Sequence, residues 1–209
     1  VGIDEVKAAG ALRRAVFLDR DGVINAMVYD TEHGLIDSPQ NPDQFQLLPN
    51  VGEAVRLINE MGLLAVVVSN QPGVAKGKST MALLESTTAR MERELAESGA
   101  RLDGVYYCLH HPEATLEQYR GICSCRKPKS GLLRQATEAI GIDLDRSFMV
   151  GDGLTDIQAG RSVGCTTVLL GTLRCDSCHL MSDQNAFPDL LAPDLLSAVR
   201  LIQSRLGQP

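Results

Sequence analysis

No stretch of this 209-residue chain approaches the ~20 consecutive apolar residues that span a bilayer. Its opening V-G-I-D-E-V-K-A-A-G-A-L-R-R has acids early and no apolar h-region, so it does not read as a secretory signal. The expectation is a cytoplasmic protein with no membrane partner. A positive excess is also missing. Lys and Arg total 20 against 26 Asp and Glu, a formal charge of −6 that argues against nucleic acid as a partner. Internal repeats and low-complexity tracts are absent. So is cysteine from the whole first half: all six lie at 108, 123, 125, 165, 175 and 178. Clustered cysteines in a chain of this size read as metal ligands or free thiols before disulfides.

A P-loop is missing too, although Val68–Thr80 (V-S-N-Q-P-G-V-A-K-G-K-S-T) imitates one. That loop needs Gly, four residues, then Gly-Lys-Ser/Thr, so that its N–H groups wrap the phosphates. Here Gly73 is one residue too close to Gly77, and the required position holds Pro72, which has no N–H.

What is present is ordinary globular composition, 44% hydrophobic and 22% charged. It predicts a short tail over 1–14 and one domain over 15–209, monomeric by default. Continuous apolar runs at 15–18, 63–68, 105–107, 148–150 and 166–170 predict strands. Helical spacing predicts helices over 51–61, from Ser79 or Thr80 to 98, 131–140 and 154–162, and from Pro193 onward. Apolar strands alternating with helices imply an α/β fold, a doubly wound parallel sheet covered on both faces. Two segments break the rhythm: the His- and Cys-bearing loop 108–127 and the polar stretch 172–188, both expected to be irregular.

In open α/β sheets ligands bind beyond the carboxyl ends of the strands. The residues that follow the predicted strands are Asp19-Arg20-Asp21-Gly22, Ser69-Asn70-Gln71 and Asp152. Any one of these is a common turn or cap residue. Carboxylates converging from separate strands repel one another, and Mg²⁺ is the hard cation that relieves this while binding a substrate phosphate. The chemistry that suits such a set is phosphoryl transfer to a carboxylate. Asp19 is placed as nucleophile. Asp21 protonates the leaving oxygen and then activates water. Ser69 donates to a phosphoryl oxygen, Lys127 neutralises developing charge, and Asp152 completes the Mg²⁺ shell.

F-L-D-R-D-G-V, V-V-S-N-Q-P-G, C-R-K-P and M-V-G-D-G-L-T-D resemble, in order, the four motifs of the haloacid-dehalogenase-like phosphatases. The resemblance runs from residue 15 to about 170. It implies Asp19 as nucleophile, Asp21 as acid/base, and Mg²⁺ on the Asp19 and Asp152 side chains with the Asp21 main-chain carbonyl. It also makes Ser69-Asn70-Gln71 the phosphate-contacting stretch. Asp156 either braces the loop or serves as a cap or surface charge.

Cys108-Leu109-His110, twelve residues, then Cys123-Ser124-Cys125 is a Cys₃His set of two tight pairs. It suits tetrahedral Zn²⁺, or else comprises free thiols and a polar histidine. His111 is the alternative ligand, but alternation along an extended segment puts Cys108 and His110 on one side. C-x-H-H-P ahead of C-x-C-R-K-P is similar to the branch holding the heptose 1,7-bisphosphate and histidinol-phosphate phosphatases. That likeness implies a structural zinc folding the loop that bears Arg126 and Lys127 toward the substrate. Gly153 stands where the heptose enzymes carry Lys, and the segment from Gly34 to Phe45 also departs from their pattern.

The expected function is therefore Mg²⁺-dependent hydrolysis of a small phosphorylated metabolite, foremost removal of the 7-phosphate of a heptose 1,7-bisphosphate. Histidinol-phosphate hydrolysis and a non-catalytic zinc-bearing phosphometabolite-binding module are the alternatives. Cys175-Asp176-Ser177-Cys178-His179 mimics a haem-attachment signature but reads as loop thiols.

Overall fold

The computed structural model of the chain describes residues 12–31, 34–172 and 175–207. Most of the expected tail over 1–14 lies outside them. Six strands form one parallel sheet: β1 (Ala15–Leu18), β4 (Leu64–Asn70), β5 (Gly104–Cys108), β6 (Phe148–Gly151), β7 (Thr166–Leu170) and β8 (Leu190–Ala192). Their spatial order is β5-β4-β1-β6-β7-β8. The chain thus builds outward from β1 to β4 and β5, then crosses back to β6 on the other side. This reversal puts the topological switch point at the end of β1, where an open parallel sheet leaves a crevice.

Why these residues form these strands follows from double-sided burial. All four residues of β1 are buried, and alternate side chains leave on opposite faces. Val16 and Leu18 join a core with Val55 and Ile58 of α1 (Val51–Glu60) and Val199 and Ile202 of α6 (Leu195–Leu206). Ala15 and Phe17 join the other core, with Leu132 and Leu133 of α3 (Gly131–Ile140). The buried positions of α1 (Val51, Ala54, Val55, Ile58) recur at helical spacing and make one face. α2 (Met81–Glu97) opens where a cap was expected: Thr80 Oγ1 accepts the Leu83 N–H at 3.2 Å. α4 (Leu154–Arg161) follows β6 directly.

One expectation needs correction. The stretch 172–188, read as irregular, contains α5 (Cys175–Asp183), and β8 follows it as a sixth strand. Of the described side chains of α5, Met181 is the one in a core cluster, against Ile157 and Leu169. A helix held by one anchor shows no apolar stripe. A three-residue strand is equally too short for any period. The segment from Gly34 onward, left unread, belongs to an antiparallel hairpin of β2 (Val28–Asp30) and β3 (Leu35–Asp37). Leu35 and Ile36 are exposed on it, so its apolar residues do not mark a core face.

Phe17→Ala removes a fully buried ring from the central strand. The expected cost is about 3–5 kcal/mol, read from the midpoint of urea unfolding; a cost below ~1 kcal/mol would contradict this packing.

Candidate active site

Three adjacent strands end at one crevice. The Asp19 N–H donates to Val150 O at 3.0 Å, and its Oδ1 accepts the Arg20 N–H at 2.7 Å. The Asp19 main chain is therefore tied to β6, and its carboxylate to the main chain of the next residue, before any ligand arrives. β4 ends in Ser69 and Asn70, and β6 hands the chain to Asp152. Two glycines make room for the acids. Gly22 has φ +78°, and a Cβ there would lie 2.0 Å from Asp152 Oδ2. A Cβ on Gly151 would lie 2.3 Å from Asp156 Cγ. Each glycine is the space that its facing aspartate occupies.

Lys127 sits at the centre of the crevice floor, 2% exposed. Its ammonium lies 2.9 Å from Asp19 Oδ2 and 2.6 Å from Asp156 Oδ1, and donates to Val68 O at 2.9 Å. Burial alone would push this amine down, and the Asp19 and Asp156 carboxylates outweigh it, holding the ammonium above its ordinary value. Asp156 Oδ2 also accepts the Gly153 N–H at 3.2 Å. Asp156 is thus both brace and cap: Oδ1 holds Lys127, Oδ2 holds the N–H of the residue that caps α4, and its burial excludes a surface charge.

Asp19, Asp152 and Asp156 each bring one oxygen into a group whose members lie within 4.8 Å of one another. Asp156 is buried, with its two oxygens on Lys127 and the Gly153 N–H, whereas Asp19 is half-buried and Asp152 exposed, which leaves Asp19 and Asp152 as the pair open to a cation. Partial burial and then the like charge of Asp19 push the Asp152 carboxyl up to about 6. Its side chain is open to the crevice, so the like charge is the cause that survives solvation. A solvent-reached carboxylate pair of this kind suits a hard divalent cation.

Asp21 is not in that group. Its carboxylate accepts from Arg20 Nε (3.2 Å) and Nη2 (3.1 Å), from Asn25 Nδ2 (2.9 Å) and from Gln71 Nε2 (2.6 Å). Arg20 is 0% exposed and stacks over the Tyr107 ring at 5.6 Å. Sequence reasoning passed over both Arg20 and Asn25. The available signal was a charged residue inside an otherwise apolar strand-and-turn segment.

The Ser69 hydroxyl, almost fully buried, accepts from Gln71 Nε2 at 3.1 Å. Asn70 and Gln71 were expected at the phosphate, but the structure uses their side chains elsewhere. Asn70 Nδ2 donates to Lys127 O (3.1 Å) and its Oδ1 accepts the Lys127 N–H (3.0 Å), so both its groups hold one residue's main chain. Gln71 spans Arg20, Asp21 and Ser69.

The loop after β5 brings Cys108, His110, Cys123 and Cys125 together. The Sγ–Sγ separations are 3.1, 3.3 and 3.6 Å, and His110 Nδ1 lies 3.5 and 4.0 Å from Cys125 and Cys108. A tetrahedron with Zn–S bonds of about 2.3 Å has edges of roughly 3.8 Å, so the donor set is nearly closed around one ion. His111 turns away, its Nδ1 accepting the Glu113 N–H. The Arg126 N–H points to Cys123 Sγ (3.3 Å) and its guanidinium to His110 O (3.3 Å). The loop that leads into Lys127 is thus fastened at both ends.

The false P-loop has a different job. Lys78 pairs with Asp37 of the hairpin and Ser79 Oγ donates to Gln40 O. Together they tie the hairpin over a cleft of about 670 Å³. A second cleft, about 560 Å³, opens beside Gly22 and Asp152. Cys178 and His179 are exposed on α5, in no metal-ligating group among the described residues; the Cys175 side chain lies outside them.

A HAD-hydrolase-like family model matches residues 124–198. The D-glycero-β-D-manno-heptose-1,7-bisphosphate 7-phosphatase of Salmonella typhi is 42% identical over 156 residues, 75% of this chain and 79% of that protein. The D,D-heptose 1,7-bisphosphate phosphatase of B. bronchiseptica, solved with magnesium and phosphate, superposes with a TM-score of 0.74 at 28% identity. The match covers 92% of this chain and 99% of that one. A HAD-like phosphatase from Mesorhizobium loti superposes at 0.75 with 29% identity, over 96% and 90%.

Two outcomes follow from the metal geometry. Because a cation must displace the Asp152 proton, apparent Mg²⁺ affinity should be level above pH about 6 and fall by about tenfold per unit below it. Mg²⁺ titrations at several pH values check this, and unchanged affinity at pH 5 removes Asp152 from the shell. Metal analysis should find about one zinc per chain, dropping well below that in Cys125→Ser together with the melting temperature. Zinc content unaffected by that change dismisses the Cys₃His site.

Proposed function

The chain belongs to the haloacid-dehalogenase-like phosphatase family, and from that premise we propose that it removes the 7-phosphate of a D-glycero-D-manno-heptose 1,7-bisphosphate through an aspartyl-phosphate on Asp19. The observation that carries this reading is the placement of Asp19 at the end of the central strand. There it lies 2.9 Å from the Lys127 ammonium and in one group with Asp152. The substrate comes from the curated relatives, whose names specify it.

The Asp19 carboxylate attacks phosphorus while the bond from phosphorus to the sugar oxygen breaks. Asp21 gives its proton to that departing oxygen. The Asp21 carboxylate then takes a proton from water as the water oxygen attacks the aspartyl-phosphate. Inorganic phosphate leaves, and both side chains return to their starting states. The Ser69 hydroxyl accepts from Gln71, so its own proton is available to a phosphoryl oxygen. Lys127, held charged by its two carboxylates, stabilises negative charge that grows on the transferring group.

Mg²⁺ bound by Asp19, Asp152 and the Asp21 main-chain carbonyl would neutralise phosphoryl oxygen charge. Zn²⁺ on Cys108, His110, Cys123 and Cys125 would hold the loop without taking part in transfer. Arg126, partly exposed with its main chain on Cys123 and its guanidinium on His110 O, is assigned in this reading to the substrate beyond the reacting phosphate. No helix among the described residues is long and apolar enough to cross a membrane.

Asp19→Asn should lower turnover roughly 10⁴-fold or more with zinc content unchanged and the fold retained, at a lowered melting temperature because buried Lys127 loses one of its two carboxylates. Phosphate release from the heptose bisphosphate, histidinol phosphate and simple hexose phosphates should rank the first highest. Activity surviving in Asp19→Asn overturns the covalent route, and a preference for histidinol phosphate overturns the substrate.

A further inference from the structure

The fully buried guanidinium of Arg20 has no access to substrate, yet it decides which way the Gln71 amide faces. An arginine has donors only. Arg20 Nη2 lies 2.8 Å from one end of the Gln71 amide, so that end must be the oxygen. The NH₂ end is then forced toward Asp21 Oδ2 (2.6 Å) and Ser69 Oγ (3.1 Å). Arg20 also donates directly to both Asp21 oxygens. Tyr107 backs the guanidinium from one side, and the Tyr107 hydroxyl is in turn bonded to Thr88 Oγ1 at 3.0 Å.

We propose that Arg20 and Gln71 are positioning residues for the reaction, with Arg20 fixing the Gln71 amide so that it aims the Asp21 carboxyl at the leaving oxygen and leaves the Ser69 proton free for phosphate. This rests on the phosphatase reading above. The geometry gives the two effects different signatures. Misplacing Asp21 slows the transfer to Asp19, the step kcat/KM reports, only where the leaving group needs a proton, as a sugar alkoxide does; its later activation of water is common to all substrates. Misdirecting Ser69 slows transfer from every phosphomonoester equally, because the phosphoryl oxygens are common to all.

The test is the ratio of kcat/KM for a sugar phosphate to that for p-nitrophenyl phosphate, whose leaving group departs without a proton. In Gln71→Leu the amide is gone. In Gln71→Glu the contact to Arg20 survives, but nothing is donated to Asp21 or Ser69. Both variants should lower the ratio by about 30-fold or more, in the direction of Asp21→Asn. Ser69→Ala should lower both rates and leave the ratio unchanged. Using two Gln71 variants keeps the test decisive should one fold poorly. A ratio within about threefold of wild type in either folded Gln71 variant overturns the proposal and leaves the phosphatase reading standing. A wild-type chain that hydrolyses neither substrate overturns that reading and this proposal with it.

Discussion

One buried ammonium holds the crevice together. Lys127 spends its contacts on Asp19 after β1, on Asp156 in α4 and on Val68 O in β4. Three elements far apart in sequence meet at one nitrogen, and none of the three partners is interchangeable. A buried cation this well surrounded is stable only while its carboxylates stay in place, since removing one partner of a buried pair costs several kcal/mol. The same constraint therefore serves the fold and the chemistry. Asp19 is kept at the end of the strand, and a positive charge is kept where phosphoryl oxygens would arrive.

Lys127 itself has to be delivered, because it lies on no strand of the sheet. The Cys₃His cluster starts on the last residue of β5, Cys108, and ends two residues before Lys127. Asn70 then grips the Lys127 main chain from the end of β4 with two hydrogen bonds. A loop of this length, with a three-residue 3₁₀ turn at Glu117–Tyr119 as its one helical element, is costly to order. Cross-linking its two ends at one metal-sized point, and clamping the exit, limits the conformations left to the lysine. The cluster and the catalytic floor are thus one mechanical unit.

What could be read in advance was whatever a single segment carries. The strands β1, β4, β6 and β7 each hold a continuous apolar run; Asp19 and Asp152 directly follow β1 and β6, and Ser69 follows the apolar run inside β4. The Cys and His spacing was equally local. What could not be read depends on pairs distant in the chain. Arg20 looks like a surface residue between two acids until Gln71, fifty-one positions on, is brought beside it. Asn70 looks like a phosphate ligand until the loop bearing Lys127 closes over it. The hairpin β2–β3 and the strand β8 are three residues per strand, shorter than any periodicity can report. Helix α5 is held at Met181 with little apolar face, so its sequence passes for a polar loop.

The charges of the crevice divide into two accounts. Arg20 and Asp21 form a buried pair that is neutral as a unit once the Asp21 proton has gone to the leaving oxygen. Asp19, Asp152 and Asp156 against Lys127 leave three negative charges and one positive, a net of −2 when all are ionised. Protein groups alone do not relieve that excess, and together with partial burial it raises the carboxyl of Asp152, the acid of the three that reaches solvent without a cationic partner in contact. A divalent ion cancels the excess and favours the ionised form of Asp152. An arriving phosphate would be repelled by the bare carboxylates and drawn to the occupied site. Cation binding ahead of substrate is therefore the order that the electrostatics of these four side chains favours.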